Sequence, residues 1–277
     1  MNVRKAHTAT RTGTWHITAP LALADDEIHL WLADYEEANH ASLHRRYRAL
    51  LTDEERQQEG RFHFANDRRR YLTTRALIRT VLSRYAPVAP QDWEFTRNRY
   101  GRPAIVSSDA PRWRLKFNVS HTHSLIVLGI ARGRAVGVDV EDFAARHVSL
   151  DLADRYFAPQ EAAALATVPA AQQQYRFFEY WTFKEAYIKA RGMGLSLPLD
   201  KFSFHYRDDC SVEMTIAAEM ADSPANWEFW QLHPSADYLV AVCARRNAHR
   251  ASTISMRQIV PMQHESILTP HFLRTST

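Results

Sequence analysis

Two carboxylates in VGVDVEDF, Val136 to Phe143, stand two residues apart in a run otherwise fit for a buried β-strand. Side chains alternate across a strand, so Val138 and Val140 share one face while Asp139 and Glu141 share the other. Like charges placed side by side repel unless a metal or a basic group lies between them. Taken alone, the pair also reads as a solvated outer face. A second charged set lies in YWTFKEAYIKARG, where Glu185 and Lys189 are four residues apart and share a helical face with Trp181. Such an ion pair means little by itself, but lysine is scarce in this chain and two, Lys184 and Lys189, fall within six residues beside an aromatic cluster. FNVSHTH adds Ser120 and His121. Neighbours in an extended strand point to opposite faces, which excludes a Ser-His hydrolase dyad and leaves hydrogen bonding to phosphate as their use. The arginines of NDRRRYLTTR and RNRYGRP stand near a helix start and a tight turn, where the helix dipole and the guanidinium fork favour phosphate. Asp139, Glu141 and Glu185 together make an incomplete oxygen cage of the kind Mg2+ prefers. The chemistry to expect is metal-assisted phosphoryl transfer, with Lys189 and the arginines holding the charge of a pyrophosphate.

The elements that must position these groups follow from periodicity and punctuation. The first dozen residues read as flexible, and Asp26–Asp34 alternates as a half-buried strand. Thr52 with Glu55 three residues on predicts a capping box, and a longer helix runs from Asn66 or Asp67 to Tyr85, before Pro87 and Pro90. WEFTRNRYGRPAIV reads as strand, turn and strand, with the turn at Tyr100-Gly101-Arg102-Pro103. Two or three strands follow from Arg112 to Glu141, with a tight connection at Arg132-Gly133. Helices are predicted at VSLDLADRYF, after Pro159, and from about Ala170 to Arg191, where Gly192 stops the last one. KFSFHY, SVEMTIAA, WEFWQLH and YLVAVCA read as four more strands, and the polar, basic tail from Arg245 onward gets no assignment. The order gives an α+β fold of two halves of similar size, 1–132 and 133–247, followed by a tail of unassigned structure, 248–277.

Composition narrows the setting. A chain of 277 residues, 45% of them hydrophobic, can bury a large core. Cys210 and Cys243 have no metal-ligand spacing, and the polar start MNVRKAHTATRTGT lacks the apolar region of a signal peptide, so a cytoplasmic protein is expected. No apolar run is long enough to span a bilayer, so no membrane partner is expected. A pI near 9.1, arising mainly from arginine, points to anionic partners.

FNVSH, GVDVE and WTFKEAYIKARGMGLSLPL, in this order and spacing, closely resemble the three motifs of the 4'-phosphopantetheinyl transferases of the surfactin-synthetase-activating (Sfp) type. The resemblance covers roughly residues 26 to 245. It implies a pseudo-twofold monomer of two similar α+β subdomains with coenzyme A and Mg2+ between them. A serine of an apo acyl or peptidyl carrier protein would attack the β-phosphate of coenzyme A, take the phosphopantetheine arm and release adenosine 3',5'-bisphosphate. By matching position, Asp139, Glu141 and Glu185 are the implied metal ligands. Glu185 serves as or orients the base, and Lys189 neutralises the pyrophosphate or leaving group. Ser120 and His121 match coenzyme A phosphate contacts, while Arg70, Tyr71 and Arg102 match positions near the adenosine 3'-phosphate and adenine. Asp139 also stands among the implied coenzyme A contacts. Arg56 and Arg61 match more loosely, because Glu55 and Gln58 stand where some members have lysine. GMGLSLPL, Gly192 to Leu199, reads either as a helix cap followed by core residues or as an apolar lip, with Met193 and Leu195, that receives the carrier helix. A metal-dependent nuclease is the alternative, but the Glu185–Lys189 spacing is wide for one and the arginines form no continuous stripe, so no nucleic-acid partner is expected.

Overall fold

A computed structural model describes residues 20–106 and 110–276, with the side chains of Ala110, Pro111 and Leu195 outside that set. The expected flexible first dozen residues lie outside it as well. In chain order the first half holds β1 (Glu27–Asp34), α1 (Ala41–Ala49), α2 (Asp53–Gly60), α3 (Ala65–Leu82), β2 (Glu94–Arg97), β3 (Pro103–Val106), α4 (Ala110–Trp113), β4 (Leu115–His121) and β5 (Leu125–Arg132). After a turn at Gly133 come β6 (Val136–Asp142), α5 (Asp151–Tyr156), α6 (Pro159–Thr167), α7 (Ala170–Arg191), β7 (Phe202–His205), β8 (Ser211–Ile216), β9 (Trp227–Leu232) and β10 (Tyr238–Arg245). The fold is α+β, as expected.

Local chemistry explains the boundaries. The capping box at α2 forms: Thr52 Oγ1 accepts the Glu55 N–H at 3.2 Å, and the Glu55 carboxylate accepts the Thr52 N–H at 3.1 Å. Helix α7 stops where Gly192 takes φ +65°, a left-handed conformation costly for other residues, and its N–H reaches Ile188 O at 2.9 Å.

The tail, unassigned from sequence, forms three further strands, β11 (Thr253–Val260), β12 (His264–Leu268) and β13 (Phe272–Ser276). Two large sheets result, in the orders β12-β11-β1-β5-β4 and β6-β10-β9-β13-β8-β7. β11 lies parallel to β1, and β13 crosses to the other sheet to sit between β9 and β8, so the tail ties the two sheets together.

Four layers follow from strand alternation. Ile28, Leu30 and Leu32 of β1 meet Val136, Val138 and Val140 of β6 and Val240 and Val242 of β10 between the sheets. The opposite face of the first sheet, with Trp31, Leu128 and Ile130, packs on Leu77, Ile78 and Val81 of α3. The opposite face of the second, with Phe229, Leu239 and Ala241, packs on Phe183, Ala186 and Tyr187 of α7. β5 and β6 bury both faces, which is why they read as nearly continuous apolar runs.

Candidate functional site

The edge strand β4 of one sheet lies beside the edge strand β6 of the other, and side chains stitch this seam. Asn118 Oδ1 accepts the Val138 N–H at 2.9 Å, and Thr122 Oγ1 accepts the Asp142 N–H at 3.3 Å. Helix α7 lies directly on β6 because Gly137 presents no side chain. A Cβ there would meet Ala186 O at 2.1 Å and Ala190 N at 2.3 Å, both α7 backbone. That approach brings the Trp181-Glu185-Lys189 stripe of α7 over the Asp139-Glu141 face of β6.

The carboxylate face is therefore not solvated: Asp139 is 4% exposed and Glu141 6%. Lys189 Nζ donates to Asp139 Oδ1 at 2.6 Å and to Ser120 Oγ at 2.7 Å, while Ser120 Oγ donates to Asp139 Oδ1 at 3.0 Å. Glu141 is held by Arg146, whose Nη1 lies 2.5 Å from Oε1. Glu185 has no hydrogen bond or ion pair among the described residues. Burial first, and then the charge of Asp139, raise its pKa to about 7 against the pull of Lys189. Burial and Asp139 likewise push Glu141 upward, opposed by Arg146.

Three carboxylates in one desolvated patch are under-neutralised, and Asp139 Oδ2 is buried without any partner. As the side chains stand, no group of three or more His, Cys, Asp or Glu among the described residues is arranged to hold a metal ion. Lys189 and Arg146 take two of the acids instead. The all-oxygen donor set, its surplus negative charge and the orphaned Oδ2 fit a hard divalent cation.

The acids form one end of a cleft of about 1480 Å³ that runs from β6 and α7 across β4 to α3 and the β2–β3 hairpin. Its far wall carries Arg70, Arg75, Arg79 and Arg97, interleaved with Glu55, Asp67 and Glu94, alongside Tyr71 and Phe95. Both halves of the chain thus line one space, with the clustered Asp139, Glu141 and Glu185 at one end and most of its arginines at the other.

A family model for the 4'-phosphopantetheinyl transferase superfamily matches residues 135–243, and one for a 4'-phosphopantetheinyl transferase N-terminal region matches 39–132. The chain is 32% identical to the 4'-phosphopantetheinyl transferase HetI of Nostoc sp. over 230 residues, covering 83% of this chain and 92% of that protein. It is 31% identical to the 4'-phosphopantetheinyl transferase Sfp of Bacillus subtilis, covering 72% and 84%. The chain belongs to the 4'-phosphopantetheinyl transferase superfamily. Among solved structures, Thermotoga maritima holo-[acyl-carrier-protein] synthase matches at a TM-score of 0.33 and 15% identity over 49% of this chain and 84% of that one, too slight a likeness to bear on the argument.

In this phosphopantetheinyl transferase the cleft gathers Asp139, Glu141, Glu185, Lys189, Ser120, His121, Arg70 and Tyr71. Ser120 is buried against Asp139, whereas His121 opens to the cleft, as alternation along β4 requires. Crowding by the cleft walls, then Arg70 and Lys189, hold the His121 imidazole below its usual pKa. Arg70 is paired with Asp67 at 2.8 Å, and Tyr71 packs on Phe62 with ring centroids 5.3 Å apart.

Arg102 corrects the sequence reading, because it does not line the cleft. Its Nη1 donates to Lys189 O and Ala190 O, both at 2.7 Å, and its Nη2 to Val136 O at 2.9 Å. The guanidinium is consumed in capping the end of α7 and fastening it to β6. Arg56 is likewise turned away, onto Leu51 O and Asp53, and Arg61 is outside the lining.

Sequence reasoning missed Phe95 and Arg146, and it took Arg75 and Arg97 only as members of the arginine-rich stretches NDRRRYLTTR and RNRYGRP, without singling them out. Arg75 stands four residues after Tyr71 on α3, so helical spacing could have found it. Glu55 pairs with both Arg75 and Arg79, and Arg75 Cζ sits 4.9 Å from the Phe95 ring centroid. The segment after α7 favours the core alternative over the apolar lip. Leu197 and Leu199 are buried, and Met193 packs on the core of the C-terminal half.

Proposed function

We propose that this transferase moves the 4'-phosphopantetheine arm of coenzyme A to a serine of an apo acyl or peptidyl carrier protein, with Mg2+ at the acidic end of the cleft, and releases adenosine 3',5'-bisphosphate. The observation that carries the reading is an acidic trio, two of its members buried and one carrying an orphaned carboxylate oxygen, in one cleft with an arginine-rich wall. Asp139, Glu141 and Glu185 would hold the Mg2+, Glu141 directly or through water. When bound, the cation neutralises the pyrophosphate and favours departure of the leaving group.

The remaining work belongs to the chain's own side chains. His121 donates to a phosphate oxygen, while Ser120 acts through Lys189, which it fixes together with Asp139 so that the ammonium stands where the leaving phosphate gains charge. Arg70, Arg75 and Arg97 hold the nucleotide's outer phosphate, with Tyr71 and Phe95 as apolar surface for the adenine. The carrier serine Oγ attacks the β-phosphorus, the bond from that phosphorus to the bridging oxygen breaks, and the serine proton passes to Glu185.

The enzyme works as a monomer, since one chain supplies both walls of the cleft, and it acts in the cytoplasm. No described helix is long and apolar enough to cross a membrane. Incubation with coenzyme A, Mg2+ and an apo carrier, read by intact-protein mass, is the test: the carrier should gain one phosphopantetheine. Asp139→Ala, Glu185→Gln or excess chelator should each lower the rate by orders of magnitude. An unmodified carrier together with cleavage of a phosphodiester substrate would replace this reading with nuclease chemistry, and full turnover in excess chelator would remove the metal.

A further inference from the structure

One cation in the cleft has no part in the reading above. Arg146 follows β6 in a turn shaped by Asp142, whose Oδ1 accepts the Ala145 N–H at 2.9 Å and whose carbonyl accepts the Arg146 N–H at 3.1 Å. The turn folds the chain back so that the guanidinium returns to Glu141, five residues earlier, at 2.5 Å. Its Cζ also lies 6.0 Å from the Phe178 ring centroid. The pair is asymmetric: the Glu141 side chain is 8% exposed and that of Arg146 is 49% exposed. The carboxylate is fixed in the seam, whereas the arginine can leave it without emptying any packed space. Lys189 plays a comparable role on Asp139 but is anchored a second time by Ser120.

A guanidinium and a divalent cation cannot both sit against the same carboxylate oxygen without strong repulsion. We propose that Arg146 is a resident counter-ion: it neutralises Glu141 while no divalent cation is bound, yields it when one enters, and turns to the pyrophosphate of the bound nucleotide. This rests on the metal-dependent reading and adds a control to it. The apparent affinity for metal alone is lowered by the fraction of time the guanidinium holds Glu141. Phosphate offers the displaced arginine a new partner, so metal and nucleotide each tighten the other's binding, by the same factor in both directions.

The probe is Mn2+ binding to the full chain, measured by calorimetry or by the spin-resonance signal of free ion, with and without coenzyme A and with no carrier present. Arg146→Gln should bind Mn2+ alone about three- to tenfold more tightly than wild type, the range for a charge-assisted contact discounted for a half-exposed partner. The mutual tightening of Mn2+ and coenzyme A should shrink by a similar factor. Arg146→Lys should stay near wild type, and Arg146→Gln should change nothing once Glu141→Gln is present. Wild type that binds Mn2+ while Arg146→Gln binds it equally or more weakly would overturn the counter-ion role and leave the metal reading standing. Wild type that binds no Mn2+, with or without coenzyme A, would overturn both.

Discussion

Gly137→Ala is the smallest change that tests whether the contact between β6 and α7 builds the site. The added Cβ would stand 2.1 Å from Ala186 O, 2.3 Å from Ala190 N and 2.9 Å from Ala190 Cα. All three are helix backbone, so no rotamer change relieves the clash. The helix must recede by roughly 1 Å or more to restore ordinary separations. Overpacking of a core costs about 1–3 kcal/mol, and a clash against backbone belongs at the upper end. In a chain of this size about 3 kcal/mol lowers Tm by roughly 6–12 °C. Recession also carries Glu185 and Lys189 away from Asp139, stretching the 2.6 Å Lys189–Asp139 contact. A displacement of about 1 Å at reacting groups costs on the order of 10²-fold in rate. A thermal melt and the initial rate of carrier modification report the two effects separately. Gly60→Ala is the control, because nothing lies within 4 Å of a Cβ there and the residue is helical, so stability should hold or rise slightly. A Gly137→Ala protein melting within about 1 °C of wild type at full turnover would refute the reasoning.

Other substitutions separate binding from scaffolding. Arg102→Ala should lose about 2–3 kcal/mol from three carbonyl contacts while keeping wild-type preference for coenzyme A over its 3'-dephospho form; a lost preference at unchanged Tm would return Arg102 to the cleft. Arg70→Ala should do the reverse, eroding that preference at nearly constant Tm, as measured by the two values of kcat/KM. Arg274→Met strands Glu179, a buried residue of α7 that then keeps only Arg176 at 2.8 Å among the described residues, so denaturant unfolding should show a loss of about 3 kcal/mol; an unchanged midpoint would show that the tail strand is not anchored this way. His29 is held neutral, its pKa lowered to about 4 by burial first and then by Arg257. The unfolded chain therefore binds this proton from about pH 6.5 downward and the folded one does not, so stability is lost as pH falls from about 6.5 to 4. His29→Gln should flatten that dependence, and an equal loss of stability between pH 7 and 5 in wild type and variant, measured by urea unfolding at each pH, would contradict it.

What was legible before the structure was what local chemistry decides. The Thr52–Glu55 box, the Gly192 stop and the short apolar runs of β9 and β10 are short-range signals, and each element formed where they pointed. Helix α1 escaped because ASLHRRYRA buries only Leu43 and Tyr47, too thin an apolar stripe to register. The tail escaped for a different reason. β11 is completed by pairing with β1, more than 220 residues earlier, and β13 by insertion between β9 and β8. No nearby residue encodes such a partnership. Arg102 shows the limit for single residues: its type announces a cation, but only the meeting of the β2–β3 turn with the end of α7 decides that backbone carbonyls receive it.

The carboxylates of β6 belong between these extremes. Alternation placed Asp139 and Glu141 on one face but could not say whether water or protein covers it. The deciding residue lies two positions before Asp139, on the same face. Because Gly137 has no side chain, α7 can lie against β6, and that approach both buries the acids and delivers Glu185 and Lys189 to them. Glycine and acids thus act as one device, in which the first sets the helix distance that makes the second costly to leave unneutralised. Lys189, Arg146 and the orphaned oxygen of Asp139 are three consequences of that cost. A larger residue at 137 would relieve it only by dismantling the site.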